Sequence, residues 1–176
     1  MNGGTSEYSN GATRLKERGT ATHSTVQING QNSSELWGGF RVARRAYPFG
    51  LKVEETLESV SVCCAHDGYC RLPGKPVHWR KWHLSRRRLV VCDHVEGPCK
   101  SAVARFHLHP AVQFTDMDEG VWRLRLPGGQ QVMVEVEEGK AKQEPGFYAP
   151  EFGKRMSATV IAVELGPEGS VVRISW

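Results

Sequence analysis

Hydrophobic and polar positions alternate along most of the chain with a period of two. In Val121-Trp122-Arg123-Leu124-Arg125-Leu126, one face carries Trp122, Leu124 and Leu126 and the other carries Arg123 and Arg125. After Pro127-Gly128-Gly129-Gln130 the alternation resumes, with Val132, Val134 and Val136 on one side and Met133, Glu135 and Glu137 on the other. Successive side chains of a strand point to opposite faces, so two such runs joined by a glycine-rich turn predict a hairpin. Its arginines are then set to meet the glutamates of the next strand.

The same pattern recurs. Ser59–Ala65 places Val60 and Val62 together, and Ala102, Ala104, Phe106 and Leu108 line one side of a run that ends at Pro110. Ser157–Leu165 is a long apolar strand, and Val172, Ile174 and Trp176 close the chain. Leu89, Val90 and Val91 in succession predict a strand over Arg88–Val95 that is buried on both faces. No segment shows a helical stripe over ten or more residues, and Lys52, Glu54 and Glu58 fit strand alternation. Nine prolines and nineteen glycines punctuate the chain at short intervals. Many short strands with frequent turns predict an all-β fold, and their number favours an antiparallel two-sheet sandwich over a small barrel.

At 176 residues the chain is the size of one domain. Residues 1–12, rich in Gly, Ser and Asn, read as a flexible lead-in, and 13–176 as the sandwich. No stretch approaches the ~20 apolar residues of a membrane-spanning helix, and the first residues lack the apolar centre of a signal peptide. The compartment stays open. The five cysteines form no CxxC pair and are an odd number, which points to reduced thiols with room for one bridge at most. Charge is unevenly placed. Residues 1–110 hold 16 basic and 9 acidic side chains; residues 111–176 hold 7 and 10. A basic front half favours an anionic partner without choosing among glycan, nucleic acid and phosphate.

Several stretches invite chemistry. His107 and His109 share a strand face, as paired metal ligands do, but Arg105 on that face opposes a cation. His78-Trp79-Arg80-Lys81-Trp82-His83 interleaves aromatics with cations. That suits stacking on sugars or bases, and it equally suits buried tryptophans behind a solvated basic face. No nucleic-acid module has this spacing, which leaves nucleic acid a weak alternative. In His66-Asp67-Gly68, the Asp either orients the imidazole or simply makes a turn. In Arg18-Gly19-Thr20-Ala21-Thr22-His23-Ser24-Thr25-Val26-Gln27-Ile28-Asn29-Gly30, one imidazole stands among small hydroxyl side chains, before a short strand and an Asn-Gly turn. Small neighbours leave the ring open to a ligand, and Arg18 offers a fork of donors that suits a carboxylate; the alternative is a structural hydrogen bonder.

Six segments, GGTSEY (3–8), RGTATHSTVQING (18–30), ELWGGFRVARRA (35–46), HWRKWHL (78–84), VVCDHVEG (90–97) and YAPEFG (148–153), occur in an order that resembles the C-terminal half of bacterial heparinase II/III-like proteins. The resemblance runs over nearly the whole chain. It implies a β-sandwich that is normally preceded by an α/α toroid of helices, and β-elimination on a uronic-acid-containing glycan. His23 stands in the place of the family's sandwich histidine, with Ser24 where Asn is usual. A Tyr and an Asn of the family site come from the toroid and have no counterpart here. Arg18, Tyr8, His78 and Arg80 are the implied substrate contacts. No cofactor is called for. Some relatives hold a structural divalent metal through a second histidine; Thr25 occupies that place, which argues against the metal and leaves only His66 and His78 as ligand candidates. The expected partners are an anionic polysaccharide and the toroid, which should leave an exposed apolar patch. The chain alone reads as a catalytically incomplete fragment of a lyase; the rival reading is a non-catalytic carbohydrate-binding or scaffolding sandwich.

Overall fold

The computed structural model describes residues 2–176; Met1, the first residue of the lead-in, lies outside the described residues. One helix, α1 (Ala12–Arg18), and a single 3-10 turn (Thr20–Thr22) precede fourteen strands. These are β1 (Val26–Ile28), β2 (Glu35–Trp37), β3 (Arg41–Ala43), β4 (Pro48–Glu55), β5 (Ser59–His66), β6 (Val77–Ser85) and β7 (Arg88–Glu96). There follow β8 (Ala102–His107), β9 (Gln113–Asp118), β10 (Val121–Arg125), β11 (Gln131–Glu138), β12 (Lys140–Tyr148), β13 (Met156–Glu164) and β14 (Ser170–Ser175). A four-stranded sheet, β1-β8-β13-β12, packs on an eight-stranded sheet, β4-β5-β6-β7-β14-β11-β10-β9, and β2-β3 form a separate hairpin. All strand pairings are antiparallel. The two-sheet sandwich is the architecture that the alternation predicts.

The core lies between the two sheets. Val26, Ile28, Ala102, Ala104, Ile161 and Val163 come from the small sheet, and Trp122, Leu124, Val134 and Val172 from the large one. The hairpin read from Trp122 to Val136 forms in register, with Trp122 opposite Val134 and Leu124 opposite Val132. Its expected cross-strand ion pairs do not form. Arg123 faces Met133, and Glu135 and Glu137 instead pair with Arg173 of β14, the neighbour on the other side of β11. A hairpin pattern shows which residues share a face but not which third strand completes the sheet.

In β13, Val160, Ile161, Ala162 and Val163 are all buried, although they alternate between faces. Ile161 and Val163 face the core. The other face is covered by residues 2–25, which form a third layer over the small sheet: His107 Nε2–H donates to the Ala21 carbonyl (3.1 Å), and Gly3 exchanges hydrogen bonds with Thr22 and Ala149. Within this layer the buried Glu17 carboxylate accepts from the Ser6 N–H with both oxygens, at 3.1 Å each. The lead-in is thus laid along the sandwich. β7 departs from its prediction: Val91 and Asp93 are sealed inside, but Val90 and Cys92 are half-buried and His94 is exposed. All five cysteines are free thiols; Cys99 is exposed and the others are half-buried. No described helix is long and apolar enough to cross a membrane.

The large sheet outreaches the small one. β4, at its edge, is exposed along its whole length, including Phe49, Leu51 and Val53. Elsewhere Tyr8 (64% exposed), Phe40 and Phe152 form a surface cluster, with ring centroids 5.6 Å and 4.7 Å from Tyr8.

Candidate functional site

The segment His23-Ser24-Thr25 leaves the 3-10 turn in extended conformation (His23 φ −119°, ψ 153°) and leads into β1. The His23 N–H donates to the Thr20 carbonyl (3.1 Å), and the Thr25 N–H donates to the His23 carbonyl (2.9 Å). The Asn-Gly turn forms as predicted: Asn29 (φ 52°) and Gly30 (φ 66°) are left-handed, and the Gln31 N–H donates to Ile28. Asn29 Oδ1 accepts from Lys100 and Ser101, which ties this turn to the approach of β8.

The His23 imidazole is half-buried and lines a cleft of about 340 Å³ between this segment and the β2-β3 hairpin. Arg18, Arg45, Thr25, Ser33 and Ser34 share the lining, and it contains no carboxylate and no tyrosine. Arg18 spends two guanidinium donors on the hairpin, to the Gly38 carbonyl (3.0 Å) and the Arg41 carbonyl (3.3 Å), so one residue both shapes the wall and charges it. Burial holds the His23 pKa below the ordinary imidazole value. The cleft therefore presents a neutral imidazole, able to accept a proton, beside two cations that can neutralise a carboxylate.

The other expected site residues are elsewhere. Tyr8 sits in the surface aromatic cluster, with the Arg14 guanidinium 5.2 Å from its ring centre, and is not part of the cleft lining. His78 (3% exposed) and Arg80 (7% exposed) are interior, so the structure corrects their reading as surface contacts for substrate. The alternation of β6 turns His78, Arg80 and half-buried Trp82 toward the small sheet and Trp79 and exposed Lys81 away from it, so the two tryptophans lie on opposite faces and a buried cation shares the inner one. Trp79 instead packs edge-on against Phe49, 5.6 Å between centroids.

What holds Arg80 inside is Asp93, which the sequence reading passed over. Arg80 Nε donates to Oδ1 (2.6 Å) and Nη2 to Oδ2 (2.9 Å), a bidentate fork. Burial pushes the Asp93 carboxyl up; the His78 hydrogen bond and the Arg80 charge outweigh it and keep its pKa below the usual carboxylate value. The available signal was an acidic residue inside the apolar run of β7, directly opposite Arg80 on β6. Asp67 does not orient His66: its Oδ1 accepts from the Tyr47 N–H (2.7 Å), and the turn reading holds. His109 lies past the end of β8, its ring 5.1 Å from that of Tyr148, and makes no pair with His107. Among the described residues no three His, Cys, Asp or Glu side chains are grouped to hold a metal ion. A larger hollow, about 710 Å³, lies at the far end of β5 and β6; two hairpin turns with the exposed Arg86–Glu58 pair line it, together with His83, whose Nδ1 is hydrogen-bonded to Ser61 Oγ (2.8 Å).

Fold and cleft together define a β-sandwich domain that presents one histidine at its margin. The chain belongs to the Heparinase II/III-like, C-terminal family, whose model matches residues 1–176. Its fold is shared with a heparan sulfate lyase, HepC, from Pedobacter heparinus: TM-score 0.76, 16% identity, covering 99% of this chain and 28% of that one. A heparinase III, the BT4657 gene product, is similar at TM-score 0.73 and 14% identity, covering 98% and 27%. The chain thus spans just over a quarter of the length of these relatives. No curated protein matches it.

Proposed function

We propose that this chain is the sandwich part of a polysaccharide lyase that acts by β-elimination on a uronic-acid-containing glycan, with His23 as its contribution to the reaction. The observation that carries this is the cleft: a neutral imidazole with Arg18 and Arg45 in the same lining. In the reaction, a base takes the proton on the carbon beside the carboxylate. The carbon–oxygen bond on the next carbon breaks, a carbon–carbon double bond forms between the two, and an acid protonates the departing glycosidic oxygen. His23 serves as the base or as a donor to the substrate carboxylate. Arg18 and Arg45 offset the negative charge that builds there.

One imidazole cannot supply base, neutraliser and acid together, and the lining offers no second group that exchanges protons near neutral pH. The remaining groups come from an N-terminal helical domain of the same parent chain. Tyr8, Phe40 and Phe152 form the apolar surface suited to that neighbour, since exposed aromatic clusters mark contact sites. The same missing groups favour the second reading, a carbohydrate-binding or scaffolding sandwich. Substituting His23→Ala in the parent protein separates the two: lost formation of unsaturated uronate with retained glycan binding supports the lyase, and unchanged turnover rejects it.

A further inference from the structure

We propose that Arg80, locked in place by Asp93, is a positioning residue: it fixes the main chain beside His23 and thereby aims the His23 ring into the cleft. The Asp93 fork occupies Nε and Nη2 of Arg80, and Nη1 reaches across to donate to the Ser24 carbonyl, 2.7 Å away. Burying an ion pair is costly, and apolar side chains of the same volume would fill the space as well. What they would lack is this third donor. The guanidinium sits between the sheets, 5.9 Å from the ring centre of Trp82 on β6 and 5.7 Å from that of Phe106 on β8.

The small sheet grips the same segment. The His107 N–H donates to Ser24 Oγ (3.2 Å), and the Arg105 N–H donates to the Thr25 carbonyl (3.0 Å). The segment beside His23 is therefore bolted to both sheets, through the Ser24 hydroxyl and the carbonyls of Ser24 and Thr25.

Behind Asp93 the hydrogen bonds run in one direction. The Gly68 N–H donates to His66 Nδ1 (3.2 Å), which makes Nε2 the protonated nitrogen of a neutral His66. His66 Nε2–H then donates to His78 Nδ1 (3.2 Å), and His78 Nε2–H donates to Asp93 Oδ1 (2.7 Å). The two imidazoles in series thus hold the carboxylate that holds Arg80.

This inference rests on His23 being the working group, and its test separates the two. In Arg80→Lys the ammonium still pairs with Asp93, but the fork with its third donor is gone. In the neutral double variant Arg80→Gln/Asp93→Asn, His78 keeps an acceptor and no charge is buried; it decides the matter if the lysine variant does not fold. In the 176-residue chain, the expected results are a His23 ring titration moved up toward that of a free imidazole and a Thr25 amide that exchanges about tenfold faster or more. In the parent protein, kcat falls by about 10²-fold with KM nearly unchanged, as a misaimed group requires. Arg173→Ala, on the far side of the large sheet, changes none of these. A folded variant with unaltered His23 titration and Thr25 exchange overturns the clamp. A parent that forms no unsaturated uronate overturns the lyase reading, and the clamp is still decided by the two measurements on His23 and Thr25.

Discussion

His66 on β5 and His107 on β8 belong to opposite sheets, and burial lowers the pKa of each to about 4. Between that value and the 6.5 of a free imidazole, the unfolded chain binds protons on these rings and the folded chain does not. Stability is therefore complete above pH 6.5 and falls as pH drops toward 4, by an amount of order 2–3 kcal/mol for each ring. Denaturant midpoints taken between pH 7.5 and 4.5 should show this fall, and His66→Gln should flatten part of it. Tyr69 makes a different residue-scale claim. It is fully buried, and its hydroxyl donates to the Val26 carbonyl of β1 at 2.8 Å. Removing that hydroxyl in Tyr69→Phe orphans a buried acceptor at the start of the strand that follows His23. The expected loss is about 1–2 kcal/mol, read from chemical denaturation.

At the scale of elements, β13 shows how a plain apolar run acquires two functions. Its core face packs between the sheets, and its outer face is the floor on which residues 2–25 lie. Ile161→Ala, at 0% exposure, opens a cavity between the sheets and should cost about 2–5 kcal/mol in chemical denaturation. Gly169 is a sharper case. It holds φ at +111°, and a Cβ there would fall 2.1 Å from the Asp93 carbonyl oxygen. Gly169→Ala should thus destabilise the domain and disturb the Asp93 end of the buried pair, seen as a shifted His78 ring signal in the folded fraction. The strand alternation at Trp122–Val136 was legible because it uses one face for the core and one for solvent. The partner of Glu135 and Glu137 was not, because Arg173 is 38 positions from Glu135 and meets it only across the completed sheet.

For the molecule as a whole, the large sheet overhangs the small one, and an aromatic cluster is exposed beside the N-terminal layer. Phe40→Ser and Phe152→Ser should leave the stability of the isolated chain within about 0.5 kcal/mol, since both rings are largely in solvent already. In the parent protein the same pair should lower the cooperativity or midpoint of thermal unfolding if the helical domain docks there. Unchanged melting of the parent would remove that surface from the proposal. The isolated chain itself should form no unsaturated uronate from heparan-type glycans, as followed by ultraviolet absorbance.

By itself, the sequence determined the all-β class, the hairpins, the Asn-Gly turn and the singular setting of His23 among small residues, because these follow from periods and neighbours a few positions apart. It also carried the order of segments that marks the family. Tertiary structure decided the rest. His78 and Arg80 read as surface cations in a line of text, since nothing within ten positions of Arg80 reveals a buried carboxylate facing it. Strand pairing brings Asp93 opposite, and desolvation then turns an apparent glycan contact into an interior lock. Which face of β6 points inward, and hence what its charges do, depends on the sheet that packs over it.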